Sequence, residues 1–125
     1  MIPAHVRAAI VAHARAELPN ESCGLLLLDN DVALEYVAAR NASPSPTFFE
    51  LELDPVVWAD LGERDVEQAV VHSHVSAPPR PSRTDVERIG LWRDLPYLIY
   101  SVARDELAAW RIGDGGITAV PVSYA

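Results

Sequence analysis

Apolar positions recur along this chain with two periods, and their alternation predicts most of its elements. Between Pro3 and Leu18, Val6, Ile10, Ala14 and Leu18 repeat at helical spacing before Pro19, which predicts an amphipathic helix. Cys23 to Leu28 is continuously apolar, as expected of a strand covered on both faces in the middle of a sheet. Asp29-Asn30-Asp31 predicts a tight turn into a second strand, Ala33 to Ala39. Asn41 to Thr47, with Pro44 and Pro46, reads as a loop, and Phe48 to Leu53 as a strand. Asp54 caps a helix opened by Pro55, and Gly62 can end it. Gln68 to His74 then reads as a strand and Arg83 to Trp92 as a helix. Tyr97 to Val102, Leu107 to Ile112 and Ile117 to Val122 form a strand meander, turning at Asp105-Glu106 and at Gly113 to Gly116. Periodicity alone therefore predicts α/β or α+β, with a mixed, largely antiparallel sheet flanked by helices.

Composition narrows the setting. The 125 residues have the length of one domain, residues 1–125, long enough to bury roughly two thirds of the unfolded surface. Half the residues are hydrophobic, yet no apolar run approaches the ~20 residues of a membrane helix. The start, Met1-Ile2-Pro3-Ala4-His5, lacks the charged and apolar regions of a signal peptide. A net charge of −8 argues against nucleic-acid binding, which needs a basic patch. A single cysteine permits no internal disulfide, and a cytoplasmic protein is the expectation. Gly113-Asp114-Gly115-Gly116 is not a phosphate loop, since it lacks the Lys-Ser/Thr ending and precedes a strand.

The chemistry concentrates in Val70-Val71-His72-Ser73-His74, followed by Ser82 and Asp85. Side chains at i and i+2 share one face of a strand, about 6.6 Å apart along it. Two imidazoles so placed can converge on one metal ion, and Asp85 can supply a third ligand. Each half also has a plain structural reading. A His-x-His pair at a strand end can be solvated, and Ser82-Arg83-Thr84-Asp85 is a helix capping box. Their coincidence within a short stretch stiffened by Pro78, Pro79 and Pro81 favours convergence, with Asp85 both capping the helix and binding metal.

His72-x-His74, then seven residues, then Ser82-x-x-Asp85, resembles the zinc signature of the JAMM metalloproteases, the MPN-plus or JAB domain. That family adds a glutamate upstream, before a glycine and an apolar run, and Glu21-Ser22-Cys23-Gly24 followed by four leucines looks like that element. Val75 departs from the family, which usually has proline after the second histidine. The motifs span Glu21 to Asp85; length and element order extend the likeness over the chain. Other metal folds fit less well. There is no HEXXH helix, no Pro-Cys-x-x-Cys, and too short a chain for an amidohydrolase barrel.

The resemblance implies a cytidine-deaminase-like three-layer fold and one Zn²⁺ per chain held by His72, His74 and Asp85. It implies Glu21 as general base and acid, and Ser82 as the hydrogen-bond donor to the oxyanion. It also implies a substrate, the C-terminal tail of a ubiquitin-like modifier or sulfur-carrier protein ending in Gly-Gly, with release of cysteine as one form. The segment Asn41 to Leu53, with Phe48 and Phe49, matches the family region lining the tail groove; both rings equally suit a core. Alternatives are a catalytically silent MPN scaffold, which typically lacks the ligands present here, and a zinc amidase for small molecules. Ser73 should face away from the histidines and bond backbone. Cys23 could be a nucleophile, but a small buried strand residue is the better reading. His5 and His13 read as solvated or packed helix residues.

Overall fold

The computed structural model describes residues 1–43 and 45–124; Pro44, within the expected loop, lies outside the described residues. Helix α1, Ala4–Ala16, follows Pro3 and buries Val6, Ile10 and Ala14 at helical spacing. Leu18, expected on that face, falls beyond the helix end and is exposed. Strands β1, Cys23–Asp29, and β2, Val32–Asn41, pair antiparallel through a turn in which Asn30 and Asp31 both take positive φ, 49° and 64°. These are residue types that tolerate the left-handed region a two-residue hairpin needs.

Strand β3 is only Leu51–Glu52, not the expected Phe48 to Leu53. Phe48 and Phe49 instead turn into the core, and the Asn41 side chain takes the Glu50 backbone N–H that a longer ladder would use. Helix α2, Pro55–Glu63, starts as expected, with the Asp54 carboxylate accepting from the Val56 N–H at 2.8 Å, but runs through Gly62 instead of ending there. Strand β4, Glu67–His74, carries the histidines. The helix expected from Arg83 to Trp92 is broken into α3, Arg83–Glu87, and a 3₁₀ turn, Gly90–Trp92. The break falls at Arg88 and Ile89, just before Gly90, whose φ of +48° bars an α-helix from running on to Trp92. Strands β5, Pro96–Ser101, β6, Glu106–Gly113, and β7, Gly116–Val120, form the meander. β7 ends earlier than expected, just before Pro121, which offers no N–H to a ladder.

The seven strands order as β3-β2-β1-β4-β5-β6-β7. All pairs are antiparallel except β4 with β5. That parallel pair requires a crossover, and residues 75–95 provide it, carrying Ser82 and Asp85. On one face α1 packs over Leu26, Val71, Leu98 and Tyr100. On the other, Cys23, Val70, Tyr97 and Ile99 meet Phe48, Phe49 and Ile89, while Leu25 and Leu27 meet Leu61 of α2. The result is the three-layer arrangement that the resemblance implies, with the sheet in the middle. No helix among the described residues is long and apolar enough to cross a membrane.

Candidate metal centre

The period of two in β4 sets the histidine placement. Val70, His72 and His74 face one side, and Ala69, Val71 and Ser73 the side covered by α1. Ser73 bonds backbone, its Oγ accepting from the Ser22 N–H at 2.8 Å. Asp85 comes from the first turn of α3, where a complete capping box holds it. Its N–H donates to Ser82 Oγ at 3.1 Å, and its Oδ2 accepts from the Ser82 N–H at 2.9 Å.

One ligand atom each from His72, His74 and Asp85 lies within 4.8 Å of the others. His74 Nε2 is 3.1 Å from Asp85 Oδ2, and His72 Nε2 is 3.4 Å from Asp85 Oδ1. Glu21, just ahead of β1, brings Oε1 to 3.9 Å from His72 Nε2. It is no exposed loop glutamate, since only 5% of it is accessible. Asn41 holds this segment. Its Nδ2 donates to Glu21 O at 2.9 Å and Phe48 O at 3.2 Å, while its Oδ1 accepts from the N–H groups of Ser43 and Glu50, each at 2.9 Å.

The donor set fits a metal ion. His72 is fully buried, yet among the described residues neither of its ring nitrogens has a hydrogen-bond partner, and Glu21 Oε1 is likewise buried and unpartnered. Orphaned polar atoms of this kind cost roughly 1–3 kcal/mol each unless something else satisfies them. His74 is prepared differently. Its Nδ1–H donates to the Pro78 carbonyl at 2.9 Å, which fixes the ring with Nε2 directed at Asp85 Oδ2, 3.1 Å away in hydrogen-bond contact. A cation among these atoms would satisfy lone pairs that the protein leaves open.

Burial dominates the electrostatics. It pushes Glu21 up to about 7, moderated by His74 and reinforced by Asp85. It drives His72 below its ordinary value, which keeps that imidazole neutral. At Asp85 burial is outweighed by the two neighbouring imidazoles, with His72 Nε2 at 3.4 Å, and by the Ser82 N–H, and the carboxyl sits well below the usual range. His74 is also desolvated, but the bonds to Asp85 and Pro78 hold it above its ordinary value.

Phe49, expected in the groove or the core, stacks on His72, centroids 4.5 Å apart, and Tyr97, which the sequence did not single out as a site neighbour, meets the same ring edge-on at 5.1 Å. Phe48 and Phe49 are both buried, and both also line a cavity of about 270 Å³ with Glu50, Leu51, Arg88 and Trp92. A larger cavity of about 420 Å³, on the α1 side near Leu26 and Leu98, holds none of the centre's residues. Cys23 is fully buried, donates to Arg40 O at 3.6 Å, and has its thiol pushed up to about 12 by burial, so no thiolate forms near neutral pH. His5 is exposed, whereas His13 is bound to the Tyr36 hydroxyl at 2.7 Å. The Asn41 hub had one legible signal, an asparagine opening a serine- and proline-rich loop. Tyr97 had none.

Comparison with known proteins is consistent over the whole length. A family model of prokaryotic homologs of the JAB domain matches residues 3–113. A CysO-cysteine peptidase of Mycobacterium tuberculosis is 37% identical over 123 residues, covering 92% of this chain and 84% of that protein. A desampylase of Pyrococcus furiosus is 28% identical over 118 residues, covering 91% and 81%. Among solved structures, a Desulfitobacterium hafniense protein superposes with a TM-score of 0.82 at 29% identity, over 100% of this chain and 93% of that one. A structure described as JAMM, a metalloprotease-like zinc site in the proteasome and signalosome, shares the fold with a TM-score of 0.62 at 20% identity, over 99% and 95%.

Proposed function

Because the chain belongs to the prokaryotic JAB-domain family, we propose that it is a zinc-dependent peptidase acting on the C-terminal tail of a ubiquitin-like or sulfur-carrier protein. The observation that carries this reading is the convergence of Glu21, His72, His74 and Asp85 with unpartnered buried atoms on Glu21 and His72. The peptidase and desampylase names of the relatives supply the substrate class.

In this reading His72, His74 and Asp85 hold one zinc, and residues 1–125 act as one unit. When bound, the ion supplies Lewis acidity, polarising a carbonyl and acidifying water. The neutral His72 offers a lone pair, His74 would offer Nε2 in place of its bond to Asp85 while Nδ1 stays bound to Pro78 O, and the ionised Asp85 offers charge. Glu21 takes a proton from the attacking water and passes it to the leaving amine at its own carboxylate. Its value of about 7 suits a group that must do both near neutral pH. Ser82 Oγ already accepts from the Asp85 N–H, which leaves its hydroxyl proton to donate to a developing oxyanion. A Gly-Gly tail, lacking side chains, suits a centre in which Glu21, His72, His74 and Asp85 are buried and Ser82 is exposed. Release of cysteine from such a tail is the form that the mycobacterial relative's name favours.

The test uses zinc-loaded protein with a carrier ending in Gly-Gly-Cys and with the same carrier joined to a lysine side chain, read by intact-mass spectrometry. The expected result is cleavage after Gly-Gly in at least one of them, abolished by chelator. Glu21→Gln should stay folded while turnover falls roughly 10²–10⁴-fold. Two intact substrates, or a fully active Glu21→Gln, would overturn the proposal.

A further inference from the structure

The crossover from His74 to Ser82 contains Pro78, Pro79 and Pro81, three residues without an N–H. Such a segment cannot join a backbone ladder in full, and the one backbone N–H between Pro78 and Pro81, that of Arg80, goes to Pro78 O at 2.8 Å. Three consecutive carbonyls find side-chain donors, one from each of three neighbouring strands. Ser101 Oγ of β5 donates to Ala77 O at 2.8 Å. His74 Nδ1 of β4 donates to Pro78 O at 2.9 Å. Trp110 Nε1 of β6 donates to Pro79 O at 2.9 Å. Ser101 is fully buried, and Arg80 lies over the Trp110 ring at 5.9 Å from its centroid.

From this arrangement we infer that Trp110 and Ser101 are positioning residues of the metal centre, acting on His74 through the carbonyls either side of Pro78. The inference rests on the metal-site reading above. The Pro78 carbonyl selects the His74 tautomer and sets the rotation of its ring, and hence where Nε2 points. Its own position follows from the peptides on either side, which Ser101 and Trp110 tie to the sheet. The same tether sets where the segment delivers Ser82 and Asp85. Neither Trp110 nor Ser101 makes a hydrogen bond to Glu21, His72, His74 or Asp85 among the described residues. The side-chain effect of Trp110 on the centre therefore runs through the loop, whereas Ser101 also pairs with His74 across β4 and β5.

Cobalt(II) is the probe, because its visible absorption reports ligand geometry directly. Metal-free wild type, Trp110→Phe and Ser101→Ala are titrated with Co²⁺, with His74→Ala as baseline. Trp110→Phe keeps an aromatic ring under Arg80 and removes only the N–H donor; Ser101→Ala carries the test if the tryptophan variant fails to fold. Each folded variant should bind Co²⁺ about 10- to 100-fold more weakly than wild type, with its visible bands shifted. Folded variants with lower melting temperatures but wild-type Co²⁺ affinity and spectrum would overturn the inference while leaving the metal site standing. Wild type that takes up no Co²⁺ would overturn both.

Discussion

Substituting Gly24 by alanine tests how closely the first strand is packed. A Cβ built there would lie 2.5 Å from Tyr36 Cε1 and 2.6 Å from both Cζ and the hydroxyl oxygen. Carbon contacts are comfortable at about 3.5–4.0 Å, so the ring would have to retreat by about 1 Å. It is not free to do so, because its hydroxyl is bonded to His13 Nδ1 at 2.7 Å, tying β2 to α1. Overpacking costs about 1–3 kcal/mol. A weakened hydrogen bond adds about 1 kcal/mol. Relief of glycine's unfolded-state entropy returns about 0.5–1 kcal/mol. The balance is a loss of about 2 kcal/mol. In urea, where m is about 1–3 kcal/mol/M for small proteins, the midpoint should drop by about 1 M with m unchanged. In a Tyr36→Leu background, which removes all three crowding atoms, the same substitution should cost less than half as much. An unchanged midpoint, or an equal cost in both backgrounds, would refute the reasoning.

Two further predictions concern the shell of the centre. Phe49→Ala should lose about 3–5 kcal/mol in calorimetry of metal-free protein, because the ring is 4% exposed and stacked on His72; a loss under about 1 kcal/mol would place Phe49 in a groove wall, outside the core. Asn41→Ala removes the hub joining Glu21 to the 42–50 segment, so turnover should fall while zinc content stays at the wild-type level, and stability should drop by about 1–3 kcal/mol. Wild-type turnover in that variant would show that Glu21 needs no such tether.

The parts of this molecule that were legible are those governed by local periodicity. Alternation placed His72 and His74 on one side of β4, and the spacing of Ser82 and Asp85 marked the helix start that delivers a carboxylate to them. Glu21 is different. No local pattern separates it from a loop glutamate, and only the family motif singled it out. The misread segments fail where tertiary contacts override pattern. Phe48 to Leu53 has strand composition, yet its two aromatic rings gain more by entering the core beside His72 than by alternating along a ladder. The helix expected through Trp92 contained its own breaker in Gly90, which a reading of apolar spacing passed over. Trp110 and Ser101 were invisible because their partners, the Pro79 and Ala77 carbonyls, are backbone atoms brought near only by the folded crossover.

Metal content measures the central claim most directly. Elemental mass spectrometry on tag-free wild type and on His74→Ala, purified in parallel, should find about one zinc per wild-type chain and almost none in the variant. Wild type that is isolated metal-free and cannot be loaded with added zinc would contradict the account, leaving a JAB-type domain whose buried histidines and carboxylates serve a purpose other than holding an ion.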